Sequence, residues 1–175
     1  MDDRSVVAAQ IGREPRSPID PVARCHLDLP TVIAVPPHLD DGTPFPTTYW
    51  LTCPLAAKRI GRIESAGGVA AAEVRVASDE LLTARHAAAM ERYRTDRDAL
   101  IPVDWAGPRP SGGVGGTRRG VKCLHAHYAD HAAGNDNPIG EHTAVEIEPL
   151  NCVARCVAET DEAVVRNTEW REPAP

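Results

Sequence analysis

Ten consecutive residues, Lys122-Cys123-Leu124-His125-Ala126-His127-Tyr128-Ala129-Asp130-His131, hold three of the chain's seven histidines and one of its five cysteines. Imidazole and thiolate are metal ligands, and they are also the side chains most readily used as base and nucleophile near neutral pH. The segment therefore offers either a metal site or an activated thiol. On a helix, where each residue turns by about 100°, Cys123, His127 and His131 form an i, i+4, i+8 stripe with Asp130 beside it. Side chains four apart lie about 5–6 Å apart at Cβ, close enough to share one ion. Helical zinc proteases place two histidines in this way. An extended backbone would instead align Cys123, His125 and His127 on one face. The Leu and Ala around the motif, and the stop at Gly134, favour the helix and hence His127 as the partner of Cys123.

A closed structural zinc site needs four ligands, so others must come from elsewhere in the chain. Thr31–Val35 and Thr47–Thr52 are short β-prone runs separated by the turn signal Asp41-Gly42, which reads as a hairpin. Cys25 precedes its first strand and Cys53 follows its second, so antiparallel pairing brings them to the hairpin's open end. The expected metal set is Cys25, Cys53, Cys123 and either His127 or His125, with zinc the first choice and an iron–sulfur cluster the alternative. Cys152 and Cys156 are two further thiols. The competing explanation is that each cysteine simply packs as a small apolar residue.

Upstream, Gly112-Gly-Val-Gly-Gly-Thr-Arg-Arg-Gly-Val-Lys122 is a glycine-rich loop running into the expected helix. Arg118, Arg119 and Lys122 would sit at its N-terminus, where free N–H groups and the helix dipole attract an anion. The loop lacks the Gly-Lys-Ser/Thr ending of a P-loop. The same positive charge favours a thiolate at Cys123, giving a second reading: a thiol-dependent enzyme acting through Cys123 on an anionic or phosphorylated small molecule. Asp40, Asp41, Asp96 and Asp98 read as turn and surface carboxylates, and Arg13, Arg16 and Arg24 as surface charges. His86 reads as a core histidine on a long helix.

The elements that would position these groups describe an α+β fold, a helix-rich single domain over 1–175 with a small antiparallel hairpin near the N-terminus. Pro54 opens a helix through Glu64, stopped by Gly67-Gly68; Ser78-Asp79-Glu80 caps a second to about Leu100; a third runs from about Arg119 to Ala133. Residues 102–120 carry three prolines and six glycines and read as a long loop. Asn135–Gly140 is a turn, 141–148 a weaker helix or strand, and the tail from Glu169 is expected to fray. The net charge of −6 argues against nucleic acid as a partner. No apolar run is long enough for a membrane span, and the acidic start lacks the apolar core of a secretory signal. A cytoplasmic address is expected, with reduced thiols.

Several blocks are distinctive: Gln10-Ile-Gly-Arg-Glu-Pro-Arg16, Arg24-Cys25, Asp41-Gly-Thr-Pro-Phe-Pro-Thr47, Tyr49-Trp-Leu-Thr-Cys-Pro54 and Gly120-Val-Lys-Cys-Leu-His125. Together they resemble a mostly actinobacterial family, domain of unknown function 501, from about residue 10 to about residue 156. The resemblance carries over no biochemical activity. It marks Cys25, Cys53, Cys123 and His125 as motif positions, while the helical stripe favours His127, so the histidine stays undecided. Relatives are often encoded near an enolase, a septum-formation initiator and an exopolyphosphatase. That setting implies a third reading, a non-catalytic adaptor in cell division or envelope physiology with an unknown protein partner.

Overall fold

The structure, a computed structural model, describes residues 1–174. The first helix, α1 (Asp3–Ile11), begins where the Asp2 carboxylate accepts the Ser5 N–H at 3.0 Å, and it ends at Gly12 in the left-handed region. Its start is set by this cap rather than by hydrophobic periodicity. Three strands follow: β1 (Asp20–Arg24), β2 (Pro30–Ala34) and β3 (Tyr49–Leu51), in the antiparallel order β1-β2-β3. The expected hairpin is β2–β3, with Val32 opposite Leu51 and Ile33 opposite Trp50. Strand β1 is an addition, an edge strand that tolerates Pro21 for that reason. Its turn into β2 is closed by the Asp28 N–H donating to the Cys25 carbonyl at 2.9 Å.

Helix α2 (Pro54–Ser65) starts at the expected proline, with Cys53 as its N-cap. Gly67, at φ 91°, breaks it, and α3 (Gly68–Ser78) follows at once. Asp79 then caps α4 (Glu80–Ala99) by accepting the Leu82 N–H at 3.0 Å. The segment from 100 to 123 is mostly irregular, as its Pro and Gly content implies. It is tied down by Arg97, 1% exposed, which donates to the Gly112 carbonyl at 2.7 Å.

Helices α5 (Leu124–Ala132) and α6 (Pro138–Ile147) form a close pair. Asn137 caps α6, its side-chain oxygen accepting the Gly140 N–H at 3.0 Å. At Gly140 even a Cβ would collide with the His127 carbonyl oxygen, so glycine sets the approach of the two helices. A two-stranded antiparallel ribbon, β4 (Val157–Glu159) and β5 (Val164–Arg166), packs on α1. The tail lies against the body: Trp170 packs on the main core and Glu172 pairs with Lys58 at 2.9 Å and with Arg62.

The main core unites the sheet with α2, α5 and α6 through Val32, Leu51, Leu55, Ile60, Leu124, Tyr128, Ile139 and Ile147. The architecture is α+β and helix-rich, with the small sheet near the N-terminus. This core places the end of β3, the start and last turn of α2 and the start of α5 side by side.

Candidate metal centre

Cys123 stands just before α5 as its N-cap, with extended angles of φ −158° and ψ 120°. The helical rotation that would align it with His127 and His131 therefore begins one residue too late. Cys123 instead meets His125, in the first turn, with its Sγ 3.8 Å from Nδ1. Glu64, in the last turn of α2, brings Oε1 to 3.2 Å from the same Nδ1 and accepts the Leu124 N–H at 2.6 Å. One ligand atom each from Glu64, Cys123 and His125 lies within 4.8 Å of the other two.

The other ring nitrogen of His125, Nε2, is 3.0 Å from the Ala57 carbonyl oxygen. A carbonyl can only accept, so Nε2 carries the proton and Nδ1 is left facing a carboxylate and a thiol. Two electron-rich groups around one nitrogen need a positive charge between them, either a proton or a cation. In the metal-free protein the proton serves. Burial works to lower the His125 pKa, but the contacts with Cys123, the Ala57 carbonyl and Glu64 outweigh it and hold it up at about 9.

The three groups sit at the edge of a cleft of about 520 Å³, whose lining includes Phe45, Tyr49, Trp50, Ala57, Lys122 and Ala126. Lys122 is held there by its Nζ donating to the Gly115 carbonyl at 3.1 Å. Phe45 and Trp50 stack with ring centroids 5.3 Å apart.

His127 turns the other way. It is 1% exposed, and its Nδ1 lies 3.0 Å from the Asn137 side-chain oxygen. Asn137 in turn donates to Asp130 at 2.8 Å, and Arg92 reaches Asp130 at 2.5 Å. Burial drives the His127 pKa down to about 4, with Asn137 opposing and His86 assisting. His127 is thus a neutral member of a buried polar network between α4, α5 and α6, and His86 packs against it at 5.4 Å between ring centroids. His131, half-buried on α5, is outside the ligand group.

Cys25 and Cys53 do approach the open end of the hairpin and line one cavity, but Cys152 and Cys156 line it with them and Cys123 does not. Among the described residues, the group close enough to hold an ion contains Glu64, Cys123 and His125, and neither Cys25 nor Cys53. The anion trio is also divided. Arg118 and Arg119 border a cavity of about 460 Å³ beside α4, whereas Lys122 borders the aromatic cleft. The cause is Gly120 at φ 66°, which keeps the chain non-helical until residue 124, so the arginines are not at a helix start.

Sequence reasoning missed Glu64. One signal was present, since it is the only acidic residue in α2, a helix that otherwise carries Lys58, Arg59 and Arg62.

The sequence profile of the family described as protein of unknown function (DUF501) matches residues 22–145. The chain belongs to that family. Glu64, Cys123 and His125 all lie inside the matched span, as do Cys25 and Cys53, whereas Cys152 and Cys156 lie beyond it. No curated protein and no solved structure matches the chain. No helix among the described residues is long and apolar enough to cross a membrane.

Proposed function

We propose that the chain binds one divalent transition metal, zinc first, through Glu64, Cys123 and His125, and leaves a fourth coordination position open to the aromatic cleft. The observation that carries this reading is the convergence of a thiol and a carboxylate on one imidazole nitrogen, 3.8 Å and 3.2 Å away, while the other nitrogen donates to a backbone carbonyl. Metal-bound histidines are oriented in this way by their outer N–H. Mixed N, S and O ligands suit zinc, and three protein ligands with an open position are the arrangement of catalytic rather than structural zinc. Such an ion would polarise a carbonyl or phosphoryl oxygen, or lower the pKa of a bound water. The cleft suits a small molecule with a flat apolar body, for Phe45, Tyr49 and Trp50, and an anionic group, for Lys122. Five unpaired cysteines suit a reducing compartment.

The runner-up is a thiol-dependent enzyme, in which Cys123 and His125 form a thiolate–imidazolium pair, favoured by the raised pKa of His125. In nucleophile–base–orienter sites the orienting group binds the nitrogen remote from the nucleophile. Here the Ala57 carbonyl takes that orienting place on Nε2, as both readings allow; what favours chelation is Glu64, which shares Nδ1 with Cys123 as a third ligand. A zinc titration of the reduced full-length protein tests the choice. Binding at this site is expected to vanish in Cys123→Ser and in His125→Asn; zinc binding unchanged in both would contradict it.

A further inference from the structure

Four of the five cysteines surround one small cavity in a different part of the molecule. Cys25 lies in the turn after β1, Cys53 at the start of α2, and Cys152 and Cys156 between α6 and β4. The enclosed space is about 10 Å³, room for roughly one water-sized body and not for a small organic molecule.

The walls also hold unsatisfied polar atoms. Gln10, 4% exposed, donates to the Pro30 carbonyl at 2.9 Å and lies 3.7 Å from the Cys156 sulfur, while its Oε1 has no partner. The indole Nε1 of Trp170 is buried and likewise without an acceptor. An unpaired buried donor is costly, and a thiolate in this cavity would supply the acceptor that the Trp170 indole N–H lacks.

We propose that Cys25, Cys53, Cys152 and Cys156 are the four ligands of a second, tetrahedral metal site, zinc first, separate from Glu64, Cys123 and His125. Four sulfurs without an open position are a structural zinc set. The cavity admits one ion, whereas a four-iron cluster would have to push its walls apart. Among the described residues no three of these sulfurs lie within 4.8 Å of one another, so the metal-free thiols stand wider than the about 3.8 Å edge implied by Zn–S bonds of about 2.3 Å. Closure falls to the irregular segment carrying Cys152 and Cys156. As each Zn–S bond forms, the thiol proton leaves to solvent, and the ion ties the C-terminal ribbon to the sheet and α2.

The test is a cobalt(II) titration of the reduced, full-length protein, reading thiolate-to-cobalt charge-transfer absorption, whose intensity grows with the number of coordinating thiolates. Two equivalents are expected. The double variant Cys152→Ser, Cys156→Ser should lose one equivalent and about four-fifths of the intensity, because one site holds four thiolates and the other holds one. Cys123→Ser should lose the other equivalent and the remaining fifth. A double variant with unchanged stoichiometry and intensity overturns the proposal, as does a single wild-type equivalent abolished by Cys123→Ser. A second measurement needs no variant: alkylation of the wild-type protein with and without zinc, mapped by peptide mass. Zinc should slow labelling of Cys152 and Cys156 together; equal labelling with and without zinc overturns the proposal.

Discussion

The Nε2–H of His125 donates to the carbonyl of Ala57 across 3.0 Å, and this bond fixes which face of the imidazole meets Cys123 and Glu64. Ala57 is one turn into α2, the helix whose last turn carries Glu64. A single helix therefore orients the histidine from one side and supplies a carboxylate from the other. The arrangement makes definite predictions.

Substitution of the ligands should rank by chemistry. Cys123→Ser and His125→Asn should each weaken zinc binding at this site beyond the about 10–100-fold that outer partners of a metal ligand cost, and Glu64→Gln should fall within or near that range. His127→Gln should leave the affinity unchanged, since its ring faces Asn137. Competition against a chromogenic chelator checks the order, and a His127→Gln loss equal to that of His125→Asn would count against the assignment.

Acid should destabilise the protein through His127. Its pKa falls from the ordinary 6.5 to about 4 in the fold, so the unfolded chain takes up the proton first. Stability is fully present above pH 6.5 and is lost as pH falls toward 4, by at most about 3 kcal/mol. Burial lowers the pKa of neighbouring His86 in the same direction. Denaturant midpoints measured across that window should slope in the wild type and flatten in His127→Gln; parallel slopes would remove His127 as the cause.

Much of the scaffold was legible because its signals are local. Pro54 began a helix, Asp79 capped one, Asp41-Gly42 marked the hairpin connection, and the glycines and prolines of 102–120 gave irregular chain. Strand β1 was hidden by Pro21, which only an edge strand admits. The site was legible by residue type but not by partner. Its key departure is one residue at a helix boundary: Cys123 is a cap and not the first turn, so it pairs with His125 rather than with His127. Glu64 stood out only as the single acid of α2; that it meets Cys123 follows from the packing of α2 on α5, about which sequence periodicity carries no information.

The Arg92–Asp130 pair should be structural. Asp130 is wholly buried, and its oxygens take Arg92, Asn135 and Asn137. Asp130→Ala takes away the buried partner of the arginine, leaving it the exposed Asp96 at 3.3 Å, and should cost about 3 kcal/mol or more, read as a shift in the denaturation midpoint. A loss below about 1 kcal/mol, the scale of an exposed pair, would contradict the role.

Gly140→Ala should separate α5 from α6. The added methyl group meets the His127 carbonyl and the His131 Cβ, backbone and near-backbone atoms that cannot rotate away. A loss of about 3 kcal/mol is expected, at the upper end for overpacking. Calorimetric melting of the variant checks it, and an unchanged melting temperature would show that the helices are set by other contacts.

The most direct measurement is a long-range ¹H–¹⁵N correlation spectrum of the histidine rings in the reduced full-length protein, recorded without zinc and with a saturating amount. The account predicts that zinc moves the Nδ1 resonance of His125 to a metal-bound position while its Nε2 keeps its proton, and that His127 stays as it was. A His125 ring that remains doubly protonated and unmoved by zinc would contradict the metal centre.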